Sequence, residues 1–214
     1  MASFGHVAVG LLTGRLHGGA VAGPRRRVSW GTLALFAALA ALPDADVALV
    51  ALGTSDRGPF GHRGAMHSFG MAIAVGVACA IVARRWHWPV LRTALAGAAA
   101  IASHTLLDLL DAGGRSLAVL WPLSSVRYHL PWRLLPDAPR GFGLLSRAGV
   151  LEFATEFALF LPVTIYALWP HLVARLRRAR PSSLRLIAGE GTAAEPAAGS
   201  PNSVERDPPL RSSG

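Results

Sequence analysis

The run of long apolar segments is what most constrains this chain. Crossing a bilayer as a helix takes roughly 20 mostly apolar residues. Residues 29–42 form such a stretch, which continues past Pro43 to residue 52. Residues 66–83, 88–110 and 150–169 supply three more. An N-terminal stretch, 3–22, is weaker because Arg15 and His17 interrupt it; it reads as a short, tilted or half-inserted helix. Ala and Leu dominate these segments, and backbone in lipid must satisfy its own hydrogen bonds. The sequence therefore predicts an all-α fold, a polytopic membrane helix bundle with about four to five transmembrane helices.

Composition agrees. Charged residues make up 15% of the chain and hydrophobic ones 52%, whereas soluble domains carry about 25% charged residues. The net charge is +9, with arginine as the only strong base. Such an excess fits nucleic acid, anionic lipid or topology signals. With five spans, Arg25, Arg26 and Arg27 share a side with Arg84 and Arg85, and with Arg175, Arg177, Arg178 and Arg180. Positive loops stay in the cytoplasm, so topology explains the charge and no nucleic-acid partner is expected. The single cysteine, Cys79, allows neither an intrachain disulfide nor a cysteine-rich zinc site. The start, "MASFGHVAVGLLTG", lacks a basic region and a clear cleavage site, so a removed leader is not expected. The loop 112–149 is rich in Pro, Arg, Gly and aromatics, which suits a membrane interface. Residues 1–174 read as the membrane-embedded domain. Residues 175–214 read as a basic, disordered cytoplasmic tail.

On this arrangement His6, Asp44, Asp46, His62, His67, His104, Asp108 and Glu152 all fall toward one membrane face, the non-cytoplasmic one. Ionisable residues inside membrane segments are functional candidates by default. In "SHTLLD", His104 and Asp108 are four apart and share a helix face, with about 6 Å of rise between them. That spacing suits a shared metal ion or a carboxylate orienting an imidazole; the plainer reading is a hydrogen bond that joins helices. In "LPDADV", Pro43 breaks the helix between two spans of backbone, and Asp44 and Asp46 repel unless a cation lies between them. Helix capping is the plainer reading, but it needs only one Asp. "GHRGAMHS" looks like a turn followed by a helix start, with Arg63 as an anion-binding group; otherwise it is an interfacial loop with a snorkelling Arg. Glu152 is a candidate acid/base, and Glu156 a partner for a buried Arg or His. His17, His87, His129 and His171 stay outside the site.

The resulting metal set is His6, Asp44, Asp46, His67, His104 and Asp108. Nitrogen and oxygen donors of this kind suit a divalent metal, zinc first, with manganese or iron as alternatives, as one ion or two. Paired metals activate water and clamp a phosphoryl group, and Arg63, Arg127 and Arg133 offer bidentate contacts to an anion. No nucleophile elbow, P-loop or dinucleotide-binding glycine pattern competes with this reading.

The ordered series "FGH", "LPDAD", "GHRGAMHS", "SHTLLDLLDAGG", "LWP" and "VLEF" resembles the YdjM-type family of bacterial and archaeal inner-membrane proteins described as metal-dependent hydrolases. The resemblance runs over residues 4–168. It implies metal ligation by His6, Asp44, Asp46, His67, His104 and Asp108, with His62, Arg63, Gly64 and Ser68 in the same motif as His67. It departs at Val47, where many members have His, at Met66, usually Thr, and at Asp111, often Thr. A more distant similarity to zinc-dependent phospholipase C enzymes, which also use a His-x-x-x-Asp helix, points to phosphoester chemistry by analogy.

The expected function is therefore membrane-bound, metal-dependent hydrolysis of a phosphoester on a lipid or lipid-linked substrate, in the bacterial inner membrane. His62 and Arg63 would position substrate, and Glu152 would handle protons. The rival reading is a non-catalytic membrane adaptor built around a structural metal or polar knot. A transporter would distribute polar groups through the membrane's depth, and here they crowd one end.

Overall fold

The computed structural model describes residues 4–22, 28–55, 58–110, 116–132 and 146–179. Met1–Val173 forms one compact unit, and Ala174–Gly214 a second, of which only the last helical turns are described. The elements are helical: α1 (Phe4–Ala22), α2 (Trp30–Ala41), a 3₁₀ turn (Leu42–Ala45), α3 (Asp46–Ala51), a second 3₁₀ turn (Ala65–His67), α4 (Phe69–Arg85), α5 (Val90–Leu109) and α6 (Arg147–Ala179). Among the described residues the only β pairing is an isolated antiparallel bridge between Leu117 and Tyr128. The apolar segments thus become helices close to the expected bounds, and α6 runs ten residues beyond the expected 169. Three helical stretches, Trp30–Ala51, Val90–Leu109 and Arg147–Ala179, are long and apolar enough to cross a membrane.

Local chemistry sets the helix ends. Ser29 caps α2 by accepting the Thr32 N–H, and Ser68 caps α4 by accepting the Met71 N–H; each satisfies a first-turn donor that has no partner inside its helix. Arg84 and Arg85 close α4, where positive charge complements the helix dipole.

Packing makes α5 the centre. It contacts α4 along one side and α1 and α2 along another, and α1 packs along α2. Water is absent from lipid, so helices associate by close van der Waals fit at small residues. Gly10 shows how close: a Cβ there would lie 2.6 Å from Ala37 Cα and from the Phe36 carbonyl oxygen. At the α4–α5 contact, a Cβ on Gly97 would collide with the Cys79 sulfur.

The N-terminal segment forms a continuous 19-residue helix. Arg15 does not interrupt it, because α6 satisfies the guanidinium. It sits 4.3 Å over the Tyr166 ring and 3.4 Å from the Ala167 carbonyl. Glu152, Glu156, Phe160 and Ala167 form one buried stripe of α6 at helical spacing. Phe4 fixes this helix against α1 by packing on Phe153 and Phe157. Helices α1, α4 and α6 begin, and α2 and α5 end, where the polar residues gather.

Candidate metal centre

The site starts from a proline. At the end of α2 the pairing tightens to 3₁₀, with Leu42 N–H bonding to the Leu39 carbonyl. In that register residue 43 would donate to Ala40, but Pro43 has no N–H. The Ala40 carbonyl instead accepts His104 Nδ1 at 2.7 Å. A carbonyl can only accept, so His104 donates from Nδ1 and turns Nε2 toward the cluster. The same turn carries Asp44 and leads into Asp46, as the "LPDAD" stretch suggested.

Around His104 Nε2 the other groups converge. His67 Nε2 lies 3.1 Å away. Asp44 Oδ1 is 3.6 Å from His104 Nε2 and 3.7 Å from His67 Nε2. Asp108 Oδ2 is 3.3 Å from His67 Nε2 and 3.8 Å from His104 Nε2. His6 stacks on His104 with ring centroids 3.7 Å apart, its Nε2 3.4 Å from Asp108 Oδ1. His6, His67 and His104 are each at most 1% exposed, whereas the Asp44 side chain is 33% exposed. Asp44 is thus the member of the cluster that reaches the surface.

On the other side of His67, Asp46 joins the parts of the "GHRGAMHS" loop. Its carboxylate binds His62 Nδ1 at 2.7 Å, accepts the Arg63 backbone N–H at 3.1 Å and lies 3.1 Å from His67 Nδ1. A carboxylate on Nδ1 turns the Nε2 lone pair of an imidazole toward whatever lies opposite. Arg63 takes a left-handed backbone conformation, φ 62°. Its Nε is buried 3.5 Å from Asp108 Oδ2.

The sequence-derived residues therefore come together. His6, His104 and Asp108 form one group of ligand-type atoms within 4.8 Å of one another; Asp44, His67 and His104 form a second; Asp46, His62 and His67 form a third. This donor set fits a divalent cation: the Nε2 atoms of His67 and His104 face each other at 3.1 Å with the Asp44 and Asp108 carboxylates beside them, and His104 is held from behind by the Ala40 carbonyl at Nδ1.

Other expectations resolve differently. Glu152 is buried on α6 and belongs to none of the three groups. Glu156, one turn on, accepts the Gly5 N–H at 2.9 Å, so it caps the first turn of α1 directly beside His6. Arg127 donates to the carbonyls of His62 and Gly58, both at 3.2 Å, and so braces the loop. Arg133 and Asp111 lie outside the described residues. Val47 is half exposed on α3.

Two features had no local sequence signal. One is the Ala40 carbonyl, whose role needs α5 beside α2. The other is the segment after α5. Ala118 N–H bonds to the Arg63 carbonyl and Phe69 N–H to the Val119 carbonyl, which holds the His62–His67 loop by backbone contacts.

An all-helical bundle with long apolar spans and a buried histidine–aspartate cluster at one end defines a membrane protein with metal-type donors. The chain belongs to the YdjM inner membrane protein family, whose profile matches residues 1–178. It is similar to the inner membrane protein YbcI of Escherichia coli (strain K12), 38% identical over 137 residues, which cover 63% of this chain and 75% of that protein. No solved structure matches it.

Proposed function

We propose that this chain is a metal-dependent hydrolase of the bacterial inner membrane that cleaves a phosphoester on a lipid or lipid-linked substrate. The observation that carries the reading is the approach of His67 Nε2 and His104 Nε2 to 3.1 Å, flanked by Asp44 and Asp108. His6, Asp44, His67, His104 and Asp108 hold the metal, zinc or else manganese or iron. A divalent ion there supplies Lewis acidity and activation of water. Asp46 and the Ala40 carbonyl orient His67 and His104. Asp44, the exposed member, marks the side from which substrate enters. Arg63 faces Asp108 and supplies the positive charge beside the cluster that an anionic substrate meets. His62 positions substrate from Asp46, and Glu152 takes up or delivers a proton.

The cluster lies at the non-cytoplasmic face of a five-span bundle. Arg84 and Arg85, at the opposite end of α4 from His67, support that orientation. A reporter fused after Arg180 is expected to read cytoplasm; a periplasmic signal inverts the topology.

The test begins with metal content of the detergent-purified protein and of His104→Ala and Asp108→Ala. The parent is expected to carry metal and both variants to lose it. No metal in the parent, or unchanged metal in both variants, removes the reading. A panel of phosphodiesters and phospholipids then asks for catalysis. The near-complete burial of His6, His67 and His104 favours a second reading, a closed structural metal in a non-catalytic adaptor. Retained metal without turnover of any phosphoester selects that reading.

A further inference from the structure

Among the described residues the most exposed large apolar side chain is Leu123, at 92%. It stands at the tip of the segment after α5, with Leu120 and Val126 exposed on either side of it. The base of that segment is tied to the His62–His67 loop. Leu117 and Tyr128 pair as the antiparallel bridge. Ala118 N–H donates to the Arg63 carbonyl and Phe69 N–H to the Val119 carbonyl, while Arg127 donates to the carbonyls of His62 and Gly58. Residues 117–128 thus form a clasp that holds the loop at its base and exposes an apolar tip.

Exposed apolar patches mark protein or membrane contacts. Two observations favour the membrane. First, the tip continues an apolar face of α4. Gly70, Ile73, Val77 and Ile81 follow one another at three- and four-residue intervals and so share one side of the helix. Ile73, Val77 and Ile81 are exposed there, although α4 packs along α5, which is long and apolar enough to cross a membrane. That side of α4 is the one left to lipid. At its upper end Trp121 and Pro122 close over Gly70, where a Cβ would run into the Trp121 carbonyl and the Pro122 ring. Leu123 is the next residue. Phe60 widens the patch, its ring edge-on to Trp121 with centroids 5.8 Å apart.

Second, the backbone of the tip is largely satisfied from within. Trp121 N–H bonds to the Ala118 carbonyl, Leu123 and Ser124 N–H both bond to the Leu120 carbonyl, and Val126 N–H bonds to Ser124 Oγ. Pro122 has no N–H to satisfy. Unpaired backbone groups are what keep loops out of lipid, and this tip has few to desolvate. Trp121, Tyr128 and Trp132 are of the residue types that settle at bilayer interfaces.

We propose that the 120–126 tip inserts into the headgroup–acyl boundary of the leaflet at the cluster end and so anchors the His62–His67 loop at the membrane surface. The anchor stands on the tip and its contacts with α4, whether or not the cluster is catalytic.

The experiment uses the full chain with Cys79→Ser, which removes its only cysteine, in nanodiscs of phosphatidylethanolamine and phosphatidylglycerol. A nitroxide is attached through Leu123→Cys, Val126→Cys or, as a reference within the membrane, Ile73→Cys. All three side chains are exposed, so the fold does not depend on them. Power-saturation electron paramagnetic resonance reads collisions with oxygen, which concentrates in lipid, and with a water-soluble nickel chelate. Glutathione carrying the same nitroxide, free in the buffer, is the aqueous reference. At positions 123 and 126 oxygen is expected to relax the label more than the chelate does, with a depth of about 5–10 Å into the boundary, and the label at position 73 is expected deeper. Chelate collision at position 123 or 126 equal to that of the aqueous reference overturns the proposal, because the tip then stands in water. Protection from both reagents at either position also overturns it and assigns the tip to a protein contact, such as a second copy of this chain.

Discussion

The two halves of the bundle use the same helices to opposite ends. At the polar end, α1, the turn after α2, the loop before α4 and the end of α5 bring seven ionisable side chains into three overlapping groups, the ligand atoms within each lying within 4.8 Å of one another. In the other half, α2 and α4 stand apart around an apolar cleft. Polar groups buried away from water must find partners or a counter-ion, so the first region has little freedom. The second is bounded mostly by apolar side chains, with His17, Ser29, Thr32 and Thr93 toward its other end. One end is therefore fixed by electrostatics and the other by shape, and substitutions separate them.

The largest effect is expected at the centre of the polar end. His104→Ala and Asp108→Ala should each lower metal affinity on the order of 100-fold or more, since loss of an outer partner alone costs about 10–100-fold. Titration with a metal-sensitive dye checks this. Next is the contact that holds α1 on α2. Gly10→Leu forces a side chain where a Cβ already lies 2.6 Å from backbone, and should cost about 1–3 kcal/mol of stability. Thermal unfolding in detergent reads it.

Asp46→Asn keeps the size of the group that bridges His62, Arg63 and His67 and removes its charge. Metal affinity should fall about 10–100-fold with the fold retained; an unchanged affinity would show that Asp46 does not orient His67. The smallest effect is expected at Arg15→Ala, which deletes the stacking on Tyr166 and the contact with the Ala167 carbonyl. A loss of about 1 kcal/mol is expected, with metal content unaffected.

Much of the fold was legible because helix in lipid is dictated by apolar length and backbone satisfaction. Residues 88–110 were expected as a span and α5 occupies Val90–Leu109. Pro43 was legible as a break. The 3₁₀ turn it produces was not, nor its effect on the Ala40 carbonyl. Arg15 was misleading in isolation: a charge within an apolar run suggested a weak helix, and its partner lies 152 positions away on α6. The residues of the polar cluster were legible from His-x-x-x-Asp spacing and from their shared end of the spans. Their division was not. Nothing local distinguishes Asp44, which faces the Nε2 atoms of His67 and His104, from Asp46, which faces His67 Nδ1.

The sequence by itself determined that the chain is a helical membrane protein and which titratable residues gather at one end, because segment length and helix direction alternate without reference to contacts. Only the tertiary structure decided how those residues are used. Which nitrogen of His104 bears the proton depends on a carbonyl from α2, and the cap on α1 beside His6 comes from Glu156 on α6. The cleft arises because α2 and α4 share α5 as a neighbour. Each of these joins segments far apart in the chain, and the distances that set them exist only once the helices are packed.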